Sequence, residues 1–263
     1  MFDLDRYVER VGLQGRPGLA EVHLAHVTSI PFENLDPHRG IPVSLADEDL
    51  ERKLVAERRG GYCFEQNLLL KAALEALGAE VDLLLARVRV GAPPGATRPR
   101  THLLLRVRAE GSTWHADVGF GRGSLFEPIP FGPGPEWEQL GWRFRVVEDG
   151  AELVLQTGRE EGWEDVYGFS PDPVPLVDVE TANWFTSTHP RSPFVTGLVA
   201  GIQGDDGSHT MLSDWSGLAL TEATASGATV TPVERDDVPE LLATNFGLTD
   251  FAIGTDGRLA RAT

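Results

Sequence analysis

Residues 58 to 67 read Arg58-Arg59-Gly60-Gly61-Tyr62-Cys63-Phe64-Glu65-Gln66-Asn67, and the chain changes character on either side of them. Two consecutive glycines let the backbone bend sharply. The apolar spacing that follows predicts a helix over 63–77, stopped at Gly78, a residue type favoured just past a helix end. The only cysteine of the chain therefore stands at a helix N-terminus, where amide dipoles and nearby cations stabilise a thiolate. Arg58 and Arg59 are such cations, and they equally suit an ion pair with Glu65 or another acid.

Upstream of this segment the spacing is helical. Residues 2–13 carry Leu4, Tyr7, Val8 and Val11 on one face, residues 19–30 repeat the pattern before Pro31, and Ser44 with Asp47 opens a helix through Glu57. Downstream the runs become strands at 81–90, 101–108 and 113–118, with a further hairpin over 142–157 about Asp149-Gly150. Pro171, Pro173 and Pro175 mark a boundary. A helix near 176–185, strands near 197–203, 218–222 and 229–233, and a helix over 236–246 complete the chain. The expected organisation is a helical region over 1–80, a β region over 81–175 and a mixed α/β region over 176–263.

Composition narrows the function. At 263 residues with 41% hydrophobic and 24% charged residues the chain reads as a globular protein, with no apolar stretch of membrane-spanning length. A net charge of −17 disfavours nucleic acid and anionic membranes as partners, although a local arginine cluster still suits a small anion. One cysteine excludes an internal disulfide and any multi-cysteine metal site, so no metal is expected. MFDLDRYVER lacks a basic stretch ahead of an apolar core, and the expected location is the cytoplasm. Cys63 is then either a small buried core residue or a reactive thiol.

His102 and Asp117 flank the turn between two expected strands. A loop at Ala109-Glu110 sets them directly opposite, and a loop at Glu110-Gly111 makes them diagonal neighbours. Either register puts both side chains on one face, within reach of a carboxylate–imidazole hydrogen bond. His115 has the same strand parity as Asp117 and is a rival base.

With these residues in hand the chain resembles the arylamine N-acetyltransferases of bacteria. The resemblance is carried by IPFENLD (30–36), KLVAERRGGYCFEQN (53–67), RTHLLLRV (100–107), DVGFG (117–121) and NWFTSTHPRSPF (183–194). It implies an α+β fold made of an N-terminal helical bundle, a central β-barrel and a C-terminal α/β lid, with Cys63, His102 and Asp117 as catalytic triad. It further implies that Phe32, Phe120 and Phe194 line the acceptor pocket, and that the stretch holding Arg98 and Arg100 approaches the acyl donor, acetyl-CoA, whose phosphates guanidinium groups suit.

The expected chemistry is acetyl transfer from acetyl-CoA to an arylamine or hydrazine through a cysteine thioester. One alternative keeps the triad and changes the substrates: an amide synthase that takes a polyketide chain from an acyl carrier protein and closes a macrolactam. Two others are a cysteine hydrolase, which uses the same three residue types, and a non-catalytic binding module.

Overall fold

The computed structural model of the chain describes residues 2–93, 95–121, 123–160, 162–255 and 257–262. Helices α1 (Leu4–Arg10), α2 (Leu19–Ser29), α3 (Leu35–His38), α4 (Asp47–Leu50) and α5 (Cys63–Ala76) fill the first part, with a short strand β1 (Phe32–Glu33) between α2 and α3. The helix expected through Glu57 is α-helical only as far as Leu50. It continues as a π-helical turn over Glu51–Ala56, closed by a 2.8 Å bond from Glu57 N–H to Arg52 O. That wide turn coincides with Lys53 facing inward, where its ammonium meets Asp36 at 2.8 Å and Glu65 at 2.7 Å.

The middle of the chain is one eight-stranded antiparallel sheet. Its strands are β2 (Glu80–Val88), β3 (His102–Ala109), β4 (Ser112–Ala116), β5 (Ile129–Pro130), β6 (Trp137–Gln139), β7 (Trp142–Asp149), β8 (Glu152–Arg159) and β9 (Gly162–Phe169), in the order β5-β4-β3-β2-β9-β8-β7-β6. The sheet coils into a nearly closed barrel. The Gln139 side chain bridges the two ends, accepting from Phe126 N–H at 2.9 Å and donating to Glu127 O at 2.8 Å.

The unbroken leucine runs of β2 and β3 follow from burial on both faces. Leu83, Leu85, Leu103 and Leu105 pack with α5 in the core between helices and sheet, whereas Leu84 and Leu104 point into the barrel with Phe144, Tyr167 and Phe169. The β3/β4 turn is Glu110-Gly111, with φ of 55° and 74°, as a type I′ hairpin requires. His102 and Asp117 are therefore diagonal neighbours, the second of the two expected registers. The β7/β8 turn is Gly150-Ala151, one residue beyond the expected position.

The last part holds α6 (Leu176–Thr188), α7 (Pro193–Thr196), strands β10 (Val199–Gln203), β11 (His209–Ser213), β12 (Ala219–Thr224) and β13 (Gly227–Pro232), α8 (Val238–Phe246) and the two-stranded β14 (Phe251–Ile253) and β15 (Leu259–Arg261). Its main sheet runs β1-β10-β11-β12-β13, so a strand from the helical region pairs into it. Leu198, Ala200, Leu212, Leu242 and Phe246 form its core. No helix among the described residues is long and apolar enough to cross a membrane.

Candidate active site

The bend before α5 is enforced by close packing. A Cβ on Gly60 would lie 2.0 Å from Pro31 O, and one on Gly61 2.7 Å from Glu65 Oε2. Glu65 accepts the Tyr62 N–H at 3.1 Å, which satisfies a donor ahead of the helix, and takes Lys53 on its other oxygen. Arg59 is not at the thiol: it pairs with Glu33 at 2.6 Å and Asp36 at 3.2 Å, which realises the ion-pair reading with acids other than Glu65. Lys53 and Arg59 are held firmly cationic despite burial by the carboxylates around them. This charge cluster fixes the loop that delivers Cys63.

Cys63 is 3% exposed, and its thiol donates to Thr101 O at 3.6 Å. His102 follows Thr101 at the start of β3, and its Nε2 lies 2.7 Å from Asp117 Oδ2. Cys63 also lies near enough to the imidazole to favour its charged form. With Nε2 engaged by Asp117, Nδ1 is the nitrogen left to face the sulfur. Burial works against the imidazolium, but the Asp117 charge and hydrogen bond, together with Cys63, lift the His102 pKa to about 10.

Asp117 lies just past β4, 1% exposed. Burial would raise its pKa, yet the His102 charge and the hydrogen bonds of His102, Asn67 and Gly119 N–H bring it down to about 2. Its Oδ1 accepts from Asn67 Nδ2 at 3.0 Å and Gly119 N–H at 2.9 Å, and its Oδ2 accepts from the Tyr167 hydroxyl at 2.8 Å as well as from His102. Gly119 itself sits against Cys63: a Cβ there would lie 2.7 Å from Cys63 Cα. Behind Asp117, His23 Nε2 accepts the Asp117 N–H at 3.2 Å while its Nδ1 donates to Phe126 O at 2.9 Å, and burial lowers its pKa to about 4.

Phe120 meets the His102 ring edge to face at 5.1 Å, and Phe32 meets Phe194 at 6.2 Å. Phe194 also touches Tyr62 and Trp215, at 5.4 and 5.7 Å. The neighbours of Phe32 in FENLD are scaffold. Asn34 donates to Phe194 O and Gly197 O at 2.8 and 2.7 Å, so it ties the segment bearing Phe194 to the helical region. Arg98 spends its guanidinium on Val90 O at 3.1 Å and Gly91 O at 2.9 Å. Arg100, two residues before His102, is exposed and has no hydrogen bond or ion pair among the described residues. His115 lies apart from the sulfur's partners, with its Nε2 at the Tyr167 hydroxyl. Asn67, Tyr167 and His23 were not singled out from sequence; only Asn67, one helical turn after Cys63, carried a spacing signal.

A cysteine at a helix N-terminus, an imidazole beside it and a buried carboxylate behind the imidazole form the arrangement of enzymes that pass acyl groups through a thiol, transferases and hydrolases alike. Comparison with known proteins decides between these classes. A family model described as N-acetyltransferase matches residues 17–250. The arylamine N-acetyltransferase of Mycolicibacterium smegmatis is 42% identical over 80% of this chain and 79% of its own length. That of Mycobacterium bovis is 35% identical over 98% of this chain and 93% of its own. The solved structure of Mycobacterium marinum arylamine N-acetyltransferase in complex with CoA superposes with a TM-score of 0.88 at 35% identity, over 94% of this chain and 93% of that one. The chain belongs to the arylamine N-acetyltransferase family, and it is an acetyltransferase.

Proposed function

We propose that this enzyme moves an acetyl group from acetyl-CoA to an arylamine or hydrazine in two half-reactions, with Cys63 as nucleophile, His102 as acid and base, and Asp117 as the group that orients His102. The observation that carries this reading is the buried line from Cys63 through His102 to Asp117, closed by the 2.7 Å bond between the last two.

Acetyl-CoA supplies an activated acyl carbon. The Cys63 thiolate attacks that carbonyl carbon, the bond from carbon to the CoA sulfur breaks, and the departing thiolate takes the proton from His102. The acetyl group is then held on Sγ. An incoming amine attacks the same carbon, the carbon–Sγ bond breaks, and the amine proton passes to neutral His102, which restores the starting pair. First-turn amides of α5 are suited to receive the negative oxygen of each tetrahedral intermediate.

We assign Phe32, Phe120 and Phe194 to the wall of the acceptor pocket, since Phe120 meets the His102 ring edge to face and Phe194 meets both Phe32 and Tyr62 in the same way. With Arg98 spent on loop carbonyls, Arg100 is the guanidinium left for a donor phosphate. The carrier-protein alternative has no support in the relatives named above. The test is acetyl transfer from acetyl-CoA to a simple arylamine by wild type and C63A. The reading predicts transfer by wild type and none by a folded C63A; transfer by C63A overturns it.

A further inference from the structure

His115 is buried beside the site and has no part in the steps above. Its Nε2 lies 2.8 Å from the Tyr167 hydroxyl, and that hydroxyl lies 2.8 Å from Asp117 Oδ2, the oxygen that also binds His102 Nε2. The protons along this line follow from valence. An ionised carboxylate only accepts, so the single Tyr167 proton goes to Asp117, and the Tyr167 oxygen must accept from His115. His115 is then neutral with its proton on Nε2, in keeping with burial, which lowers its pKa to about 4. Its Nδ1 is left buried with no partner among the described residues. That orphaned nitrogen carries a desolvation cost. An apolar side chain would avoid it at a position whose ring neighbour is Phe169, 5.1 Å away.

We propose that His115 is a positioning residue for acetyl transfer, which acts through the Tyr167 hydroxyl to set how strongly Asp117 holds the His102 imidazolium. This rests on the reading of Cys63, His102 and Asp117 as the catalytic triad. A bond donated to the Tyr167 oxygen makes its O–H a stronger donor to Asp117 Oδ2, because linked hydrogen bonds polarise one another. Charge drawn off that oxygen leaves less to stabilise the imidazolium, and His102 gives up its proton more readily. The titratable groups that face this centre are Cys63 from α5, His23 from α2 on the Asp117 N–H, His115 from β4 and Tyr167 from β9.

The test is the pH dependence of Cys63 alkylation by iodoacetamide, followed beside acetyl transfer, in wild type, H115L, H115Q, Y167F and Y167F/H115L. H115L is expected to raise the pH at which His102 loses its proton by about half a unit, with Y167F raising it at least as far. H115Q, whose amide N–H can donate to Tyr167, is expected to return the profile to wild type. In the Y167F background H115L should move nothing further. An unmoved profile in folded H115L overturns the proposal, and so does an equal shift with and without Tyr167, which would mark a merely structural effect. H115M replaces H115L should the latter not fold; failure of both apolar variants while H115Q folds also overturns it. Acetyl transfer that survives complete alkylation of Cys63 would instead reject the triad reading, wherever the inflection lies.

Discussion

Asn67 donates a 3.0 Å hydrogen bond to Oδ1 of Asp117 from one helical turn beyond Cys63 on α5. The same amide nitrogen donates to Leu103 O at 2.7 Å, and its oxygen accepts Val118 N–H at 3.1 Å. One side chain thus joins the helix of Cys63 to β3 and to the segment after β4. Its removal in N67A takes a partner from three buried polar groups, and we expect a loss of about 2–4 kcal/mol in urea unfolding together with at least a roughly tenfold fall in kcat/KM. Unchanged turnover in N67A would show that Asp117 holds its place without it.

Gly119 tests how closely the DVGFG segment packs on Cys63. A Cβ there meets Cys63 Cα and Asn67 Nδ2 at 2.7 Å, so G119A should lower stability by about 1–3 kcal/mol and depress acetyl transfer. Gly134 has open space around its Cα and no positive φ, and G134A should be neutral in both measurements.

The two arginines ahead of the glycines separate cleanly. Arg59 is buried against Glu33, which is itself fully buried, and R59M would leave that charge unpaired at a cost of about 3–5 kcal/mol in chemical unfolding. Arg58 has φ of 52°, so R58G relieves a left-handed backbone and should leave stability unchanged or raise it by up to about 1 kcal/mol.

The reach of sequence reasoning divides along the same line. The α5 N-terminus, the β3/β4 hairpin, with its loop open between two positions, and the shared face of His102 and Asp117 were legible because local rules govern them: helical period, a glycine-containing turn and strand alternation. Strand β9 was not read, since Gly162–Phe169 mixes two acids and two glycines with its aromatics and lacks a clean alternation. Tyr167 was lost with it. The hydrogen bond from Tyr167 to Asp117 joins β9 to the end of β4, with β3 and β2 between them in the sheet, and no spacing along the chain encodes that. Asn34 and Arg59 were visible as motif residues, but their work in pinning the Phe194 segment and neutralising Glu33 depends on contacts across the fold.

The pH dependence of stability follows from the His102–Asp117 pair. The Asp117 pKa falls from 3.8 to about 2 on folding, so its contribution is present above pH 3.8 and lost as pH drops through 2. The His102 pKa rises from 6.5 to about 10, so its contribution is full below pH 6.5 and lost as pH climbs through 10. The stability difference between wild type and an H102Q/D117N variant should therefore be greatest between pH 3.8 and 6.5 and shrink on both sides. Thermal unfolding across that range checks it; a difference that does not vary with pH would mean the pair is not ionised as described.

In the proposed reaction Cys63 carries the acetyl group between donor and acceptor. The direct measurement is intact and peptide mass analysis of the purified protein mixed with acetyl-CoA in the absence of acceptor, repeated after addition of a simple arylamine. One acetyl group per chain is expected on the peptide containing Cys63, discharged by the amine with formation of the acetylated amine. An acetyl group on another residue, or transfer to the amine with no adduct formed in rapid-quench samples, would contradict it.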